Sequence, residues 1–110
     1  MVACITPFNF PLNLVLHKVA PALATGCPIL LKPAPQSPLV ALAFTALIEE
    51  AGYPKGVIST LLCDNDVAES MVRDDRVALL SFTGSDKVGW FLKSICARRR
   101  WPSSSAATPR

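Results

Sequence analysis

Three polar side chains of this sequence stand in loops where they could do chemistry: Asn9, Lys32 and Ser85. Asn9 lies in the segment PFNFP, between two prolines that restrict the backbone. A side-chain amide held in this way can donate a hydrogen bond to a developing oxyanion. The structural alternative is an asparagine that bonds the backbone of its own turn.

Lys32 ends the apolar run PILLK and is followed at once by Pro33. A lysine at the end of a strand can hydrogen-bond ribose hydroxyls or pair with a phosphate, although it can also be an ordinary surface lysine at the rim of a sheet. The segment TGSDKVG, residues 83–89, offers a second phosphate contact. Gly84 allows the backbone to approach a ligand, Ser85 adds a hydroxyl, and the positive end of the following helix suits an anion. An ordinary capped helix start is the alternative.

Other common sites are not indicated. The five glycines (Gly26, Gly52, Gly56, Gly84 and Gly89) do not form GxGxxG, so a dinucleotide would be held in another way. The four cysteines are far apart and include no CxxC pair, so we predict no metal site and interpret them as buried thiols in a reducing compartment. His17 has no carboxylate or cysteine near it in sequence and is interpreted as structural.

Prolines and glycines divide the chain into alternating elements. We predict strands over residues 2–6, 28–32, 57–63 and 77–82, and helices over 13–24, 38–51, 67–72 and 87–96. Such alternation is typical of right-handed βαβ units and a parallel sheet. Ligands of open α/β sheets bind at the carboxyl ends of the strands. Here that edge is predicted to consist of residues 6–9, 32–36, 64–66 and 83–86.

The composition indicates a segment whose apolar surface is covered by other parts of a protein. The hydrophobic fraction is 51%, and Lys18 and Lys32 are the only charged residues up to Ile48. Either the first half is deeply buried or the chain belongs to a larger protein, and we favour the second. The net charge of +3 comes from arginines in residues 97–110, since the rest carries seven basic and eight acidic residues. This distribution argues against a nucleic-acid partner. No membrane span or secretion signal is predicted, so we expect a cytoplasmic location.

Taken together and in order, these motifs resemble one family. ITPFNFPLNLVLHKVAPALATGCPILLKPAPQSPLVAL, then EEAGYPKGVIS, then SFTGSDKVG, are similar to the cofactor domain of aldehyde dehydrogenases over residues 2–96. The resemblance implies an α/β fold: a Rossmann-like parallel sheet with alternating helices, incomplete relative to the full family domain. Residues 1–96 are then a partial NAD(P)-binding domain. Residues 97–110 are a basic tail rich in serine and alanine, which we expect to be disordered.

The resemblance also implies a role for each matching residue. Asn9 would stabilise the oxyanion, Lys32 would contact the adenosine ribose, and the turn of Gly84 and Ser85, with Gly89 in the helix that follows, would bind the pyrophosphate. Thr6, Pro7 and Phe8 would line the nicotinamide side, Gly56 would lie near the adenine, and Pro33 and Ala34 would also bind the cofactor. No metal is implied. Full-length relatives would take an aldehyde as substrate and form homo-oligomers.

Departures from the family pattern narrow the expected activity. Many NAD-preferring members have a glutamate three residues after the lysine, where this chain has Pro35. Without that carboxylate, NADP should be tolerated or preferred, so the cofactor is NAD or NADP. The family's nucleophilic cysteine and general-base glutamate lie beyond the pyrophosphate helix, and neither is present. Cys4, Cys27, Cys63 and Cys96 do not stand in the nucleophile's context.

The tail offers a cause for this loss. The family continues after FLKSI with a strand that ends in LELGG, whereas here the chain reads CARRRWPSSSAATPR. Codons for Trp101 to Pro109 can be chosen so that reading one base earlier gives VALELGGNA. We therefore hypothesise a frameshift near Cys96. The resulting prediction is a fragment of an oxidoreductase that converts an aldehyde to a carboxylic acid through a thiohemiacetal and hydride transfer to NAD(P). The alternative is an inert truncated or pseudogene product that at most binds a cofactor or a partner.

Overall fold

The computed structural model describes residues 1–96, and the predicted tail, 97–110, lies outside the described residues. Strands and helices alternate along the chain. The strands are β1 (Val2–Ile5), β2 (Ile29–Lys32), β3 (Ile58–Thr60) and β4 (Leu79–Phe82), and the helices are α1 (Asn13–Ala24), α2 (Pro38–Glu50), α3 (Asn65–Arg73) and α4 (Asp86–Ile95). The predicted order of elements is confirmed. The strands are shorter than predicted at 57–63 and 77–82, because hydrophobic residues there continue into loops that pair only in part.

The four strands form one parallel sheet in the order β3-β2-β1-β4. Val2 to Ile5 pair with Ile29 to Lys32 on one side and with Leu79 to Phe82 on the other. β1 therefore lies inside the sheet, and all four of its residues are buried. This arrangement confirms the α/β, Rossmann-like fold class predicted from the sequence.

Alternate residues of the strands build two hydrophobic cores, one on each face of the sheet. Val2 and Cys4 of β1 pack with α1 and α2, in a cluster that also contains Val15, Val19 and Ile29. Ala3 and Ile5 face the other way, into a cluster with residues of α3, β4 and α4 that include Met71, Val72, Leu80 and Leu92. The inner strand β1 is thus covered on both sides, which explains its continuous apolar run in the sequence.

The helix boundaries follow from the residues predicted to set them, with one difference. Gly26 takes a φ of 70° just after α1, a backbone conformation that suits glycine. Pro38 occupies the first turn of α2 as predicted. Ser37 precedes it but makes no side-chain cap hydrogen bond, so α2 starts on its proline rather than on a serine cap. None of the helices within residues 1–96 combines the length and the apolar content needed to cross a bilayer.

Candidate functional site

Backbone hydrogen bonds hold the loops at the carboxyl edge of the sheet close to one another. The N–H of Thr6 donates to the carbonyl of Lys32 at 3.2 Å, and the N–H of Thr83 donates to the carbonyl of Ile5 at 3.1 Å. Hydrogen bonds of the sheet therefore continue past the end of β1, towards both β2 and β4. They fix the positions at which the loop of Asn9 leaves β1 and the loop of Ser85 leaves β4.

Lys32 is buried rather than exposed at the rim. Only 5% of its surface is accessible, although it is a charged residue. Its Nζ donates to Oδ1 of Asn65, the first residue of α3, at 3.4 Å. This is its one hydrogen bond within residues 1–96, and it is longer than the usual 2.7–3.2 Å. A buried ammonium with so little compensation is costly, so the surface-lysine alternative does not describe this residue.

Lys32 lines a cavity of about 320 Å³ between α3 and α4. The lining combines apolar and polar side chains of both helices with two strand residues, and it consists of Ile5, Lys32, Asn65, Asp66, Ala68, Glu69, Val88, Phe91 and Leu92. Val88 and Phe91 are 44% and 48% exposed, so this part of α4 offers an accessible apolar surface. Ligand sites usually combine such an apolar wall with a few convergent polar groups.

The start of α4 has a free serine. Ser85 is the residue before the helix, with φ −70° and ψ 149°, but its side chain makes no cap hydrogen bond. Its hydroxyl and the unpaired N–H groups of the first helical turn thus remain available to an anion. The capped-helix alternative does not hold in the simple form expected from the sequence.

Gly84 has a packing role that the sequence analysis missed. Gly84 does not have a positive φ. A Cβ placed there would lie 2.5 Å from Cζ of Phe82, and one at Gly89 would lie 3.4 Å from Cε1 of the same ring. The buried Phe82 ring fills the space that Gly84 leaves open, whereas a Cβ at Gly89 would only come into contact with the ring. Gly84 therefore lets the start of α4 lie close against the end of β4.

Asn9 lies in an open loop between β1 and α1. Its neighbours Phe8 and Phe10 are 58% and 61% exposed, and Asn9 itself is exposed. Its side-chain amide makes no hydrogen bond with any residue of 1–96, so the turn-bonding alternative is not realised. The amide is thus available to a group that approaches this edge.

Sequence reasoning overlooked Lys18, a second buried lysine, which comes from α1. It is 6% exposed, and its Nζ donates to Oγ1 of Thr83 at 2.8 Å and to Oγ of Ser81 at 3.2 Å. Burial lowers the pKa of Lys18, although the nearby Cys4 thiol acts in the opposite direction. Burial also raises the pKa of Cys4 to about 11, against the opposing effect of Lys18. The available signal was the scarcity of charge before Ile48, which marks both lysines as exceptional.

The other predicted site residues divide into two groups. Pro33 and Ala34 are buried directly after Lys32, and Thr6 and Pro7 follow β1, so all four lie at the carboxyl edge. Gly56 does not: it precedes β3 and therefore lies at the opposite, amino-terminal edge of the parallel sheet. The fold thus separates Gly56 from the other candidates. Beyond the other end of β3, residues of α3 that include Asn65 and Asp66 line the cavity.

The cysteine prediction needs a correction. Cys4 and Cys96 are buried, as predicted. Cys27 and Cys63 are only half-buried, because each lies in a loop beside a strand end rather than inside a core. No three of the His, Cys, Asp and Glu side chains described for residues 1–96 are arranged to hold a metal ion.

Comparison with known proteins adds an independent line of argument. The model of the aldehyde dehydrogenase family matches residues 1–105. A 3-sulfolactaldehyde dehydrogenase of Priestia aryabhattai is 45% identical over 101 residues, which are 91% of this chain and 21% of that protein. The chain therefore spans about a fifth of the length of the relatives that it matches.

Solved structures agree with the sequence relatives. The succinate-semialdehyde dehydrogenase of Burkholderia pseudomallei superposes with a TM-score of 0.88 at 44% identity, covering 91% of this chain and 22% of that one. The betaine aldehyde dehydrogenase of Staphylococcus aureus, solved in complex with NAD+, gives 0.87 at 38% identity, over 91% of this chain and 20% of that one. Both relatives share the sheet and helices described above.

Proposed function

This chain belongs to the aldehyde dehydrogenase family, and we propose that it carries the adenosine side of an NAD(P) site together with one oxyanion donor. The observation that carries this proposal is the buried Lys32, which lines the cavity between α3 and α4. An ammonium with one long hydrogen bond can take further acceptors, and ribose hydroxyls supply them. The apolar surfaces of Val88 and Phe91 suit the adenine ring.

The other parts of the cofactor are assigned along the same edge. The hydroxyl of Ser85 and the first N–H groups of α4 would receive the pyrophosphate. Thr6, Pro7 and Phe8 would lie on the nicotinamide side, where Lys18 would act as a positioning residue because it ties α1 to Thr83. Gly56 is left out of the proposed site, and Gly84 enters it through its packing. When bound, NAD(P)+ would accept a hydride from an aldehyde substrate.

Asn9 would stabilise negative charge on the substrate oxygen, because its amide is exposed and makes no internal hydrogen bond. The chain has no matching nucleophile. Burial holds Cys4 in its neutral thiol form, which is a poor nucleophile. Cys63 follows the edge strand β3, and β3 lies two strands, or about 10 Å, away from β1, after which Asn9 stands. The expected state is therefore a chain that binds cofactor without turnover.

A second candidate is an inert product that never forms a stable site. It is favoured by large apolar side chains that the rest of a full-length relative would be expected to cover. Leu39, Leu47, Phe10 and Trp90 are 75%, 60%, 61% and 55% exposed. Exposed apolar surface of this extent promotes aggregation.

The experiment that separates these functions uses the purified 110-residue chain. Calorimetry measures binding of NAD+ and NADP+, and absorbance measures aldehyde-dependent formation of NADH or NADPH. Binding without turnover is the predicted result. Turnover would contradict the assignment of a missing nucleophile, and an aggregated chain without binding would support the inert product.

A further inference from the structure

Two carboxylates flank Asn65 in the sequence, and Asn65 is the residue whose Oδ1 accepts the hydrogen bond from Lys32. Asp64 precedes α3 and Asp66 lies in its first turn. We propose that these two residues make the ribose end of the site select NAD over NADP, by repelling a phosphate on the ribose 2′ oxygen. The inference rests on the proposed function, since it needs the ribose to lie at Lys32.

Two neighbouring cavities define the position of these carboxylates. Asp66 lines the cavity that contains Lys32, whereas Asp64 lines a second cavity, of about 270 Å³, together with Pro33 and Pro35. Lys32 and Pro33 are consecutive in the chain, and Asn65 links Asp64 to Asp66. Lys32 therefore lines one cavity together with Asp66, and the next residue, Pro33, lines the neighbouring cavity together with Asp64.

The charges around these two cavities do not suit a phosphate. Among residues 1–96, Lys32 is the only basic residue in the walls of either cavity. Glu69 also lines the first cavity, but Arg73 pairs with it at 2.6 Å. Asp64 and Asp66 have no ion-pair partner among residues 1–96, and the carboxylate of Asp64 makes no cap hydrogen bond to α3. A 2′-phosphate would meet two uncompensated carboxylates and one ammonium, and Coulomb repulsion would oppose its binding.

A free 2′-hydroxyl meets the opposite situation. It can donate a hydrogen bond to a carboxylate while it accepts one from the ammonium of Lys32, and bonds to ionised groups are the stronger ones. Pro35 removes one carboxylate from the β2 loop, which led the sequence analysis to expect tolerance of NADP. The β3–α3 loop supplies carboxylates to the same region, so the loss at Pro35 does not leave the ribose end neutral.

The test compares two adenosine probes that differ only in the 2′ group. Calorimetry on the 110-residue chain measures 5′-AMP, which has a free 2′-hydroxyl, and 2′,5′-ADP, which has a 2′-phosphate. We expect 5′-AMP to bind about tenfold more tightly. In the double variant Asp64→Asn and Asp66→Asn this preference should disappear or reverse. Asparagine caps helices as well as aspartate does, so the fold should be kept, and circular dichroism checks that it is.

A matched control changes the same amount of charge elsewhere. Glu49 and Glu50 are exposed at the end of α2, at the opposite edge of the sheet. The double variant Glu49→Gln and Glu50→Gln should keep the tenfold preference for 5′-AMP. Added salt should narrow the preference in the unmodified chain, because it screens the repulsion.

The outcomes separate this inference from the function on which it rests. If neither probe binds, the proposed function fails and this inference fails with it. If 5′-AMP binds but 2′,5′-ADP binds equally well or better, the cofactor site stands and the selection for NAD is overturned. A preference for 5′-AMP that survives in the Asp64 and Asp66 variant would overturn the assignment to these two residues.

Discussion

Replacing Lys32 with methionine should affect folding and binding in opposite ways. The substitution removes the ammonium and keeps an unbranched chain of similar length. Lys32 is 5% exposed and has one hydrogen bond of 3.4 Å within residues 1–96, so folding removes its charge from water with little return. Its partner Asn65 is exposed and can bond water instead. We therefore expect the free energy of unfolding to stay constant or to rise by about 1 kcal/mol.

Binding should fall in the same variant. A hydrogen bond to a charged group contributes about 1.5–3 kcal/mol, which corresponds to about a ten- to hundredfold change in affinity. The Lys32→Met chain should therefore bind 5′-AMP about ten- to hundredfold more weakly. Urea unfolding followed by circular dichroism gives the stability, and calorimetry gives the affinity.

Lys18→Met is the contrasting variant for stability. Lys18 is also buried, but its bonds to Thr83 and Ser81 are 2.8 and 3.2 Å long. Its removal leaves two part-buried hydroxyls without this donor and should cost about 1–3 kcal/mol. Suppose that Lys32→Met loses as much stability as Lys18→Met and binds 5′-AMP as tightly as the unmodified chain. Lys32 would then be a structural residue and not part of a ribose site.

Four further substitutions test other parts of the structure. Gly84→Ala should destabilise the chain by about 1–3 kcal/mol in urea unfolding, because its Cβ would lie 2.5 Å from the Phe82 ring. Gly89→Ala should be neutral or stabilising, because its Cβ would lie 3.4 Å from the ring and the residue is inside a helix. Equal losses of stability in the two variants would contradict this packing. The stability that Cys4 contributes as a neutral thiol is complete below pH 9, because the folded pKa of about 11 exceeds the unfolded value of 9.0. This contribution should fall by about 2–3 kcal/mol between these two pH values. The measurement is the difference in the free energy of unfolding between the unmodified chain and Cys4→Ala at several pH values, and a difference that stays constant with pH would contradict the prediction. Asn9→Ala should change the free energy of unfolding by less than about 0.5 kcal/mol, and a larger loss would assign Asn9 a structural role.

The fold could be predicted well from the sequence, because the prolines and glycines that end helices and strands agree in position with the hydrophobic pattern. Gly26 and Pro38 stand at real helix boundaries, and the apolar runs around Cys4 and Leu80 form strands, of which the one around Cys4 is buried on both faces. Alternation of strands and helices then leaves few arrangements apart from a parallel sheet. The order β3-β2-β1-β4 places the loops after β1 and β4 side by side, as a site at the carboxyl edge requires.

The details of the site depended on contacts between distant residues. No local pattern indicates that Lys18 reaches Thr83, 65 residues away, or that Asn65 accepts a hydrogen bond from Lys32. Gly56 was predicted near the adenine from its motif alone, whereas the direction of β3 places it at the far edge. The packing role of Gly84 could not be predicted from the sequence either, because it depends on the orientation of the Phe82 ring.

NMR chemical shifts of the backbone amides, followed while 5′-AMP is added to the 110-residue chain, test most directly whether adenosine binds between α3 and α4. We expect chemical-shift changes at Lys32 and Asn65 and along α4 from Ser85 to Phe91, and no changes around Gly56. Shifts confined to the amino-terminal edge, or a spectrum that does not change at all, would contradict an adenosine site between α3 and α4.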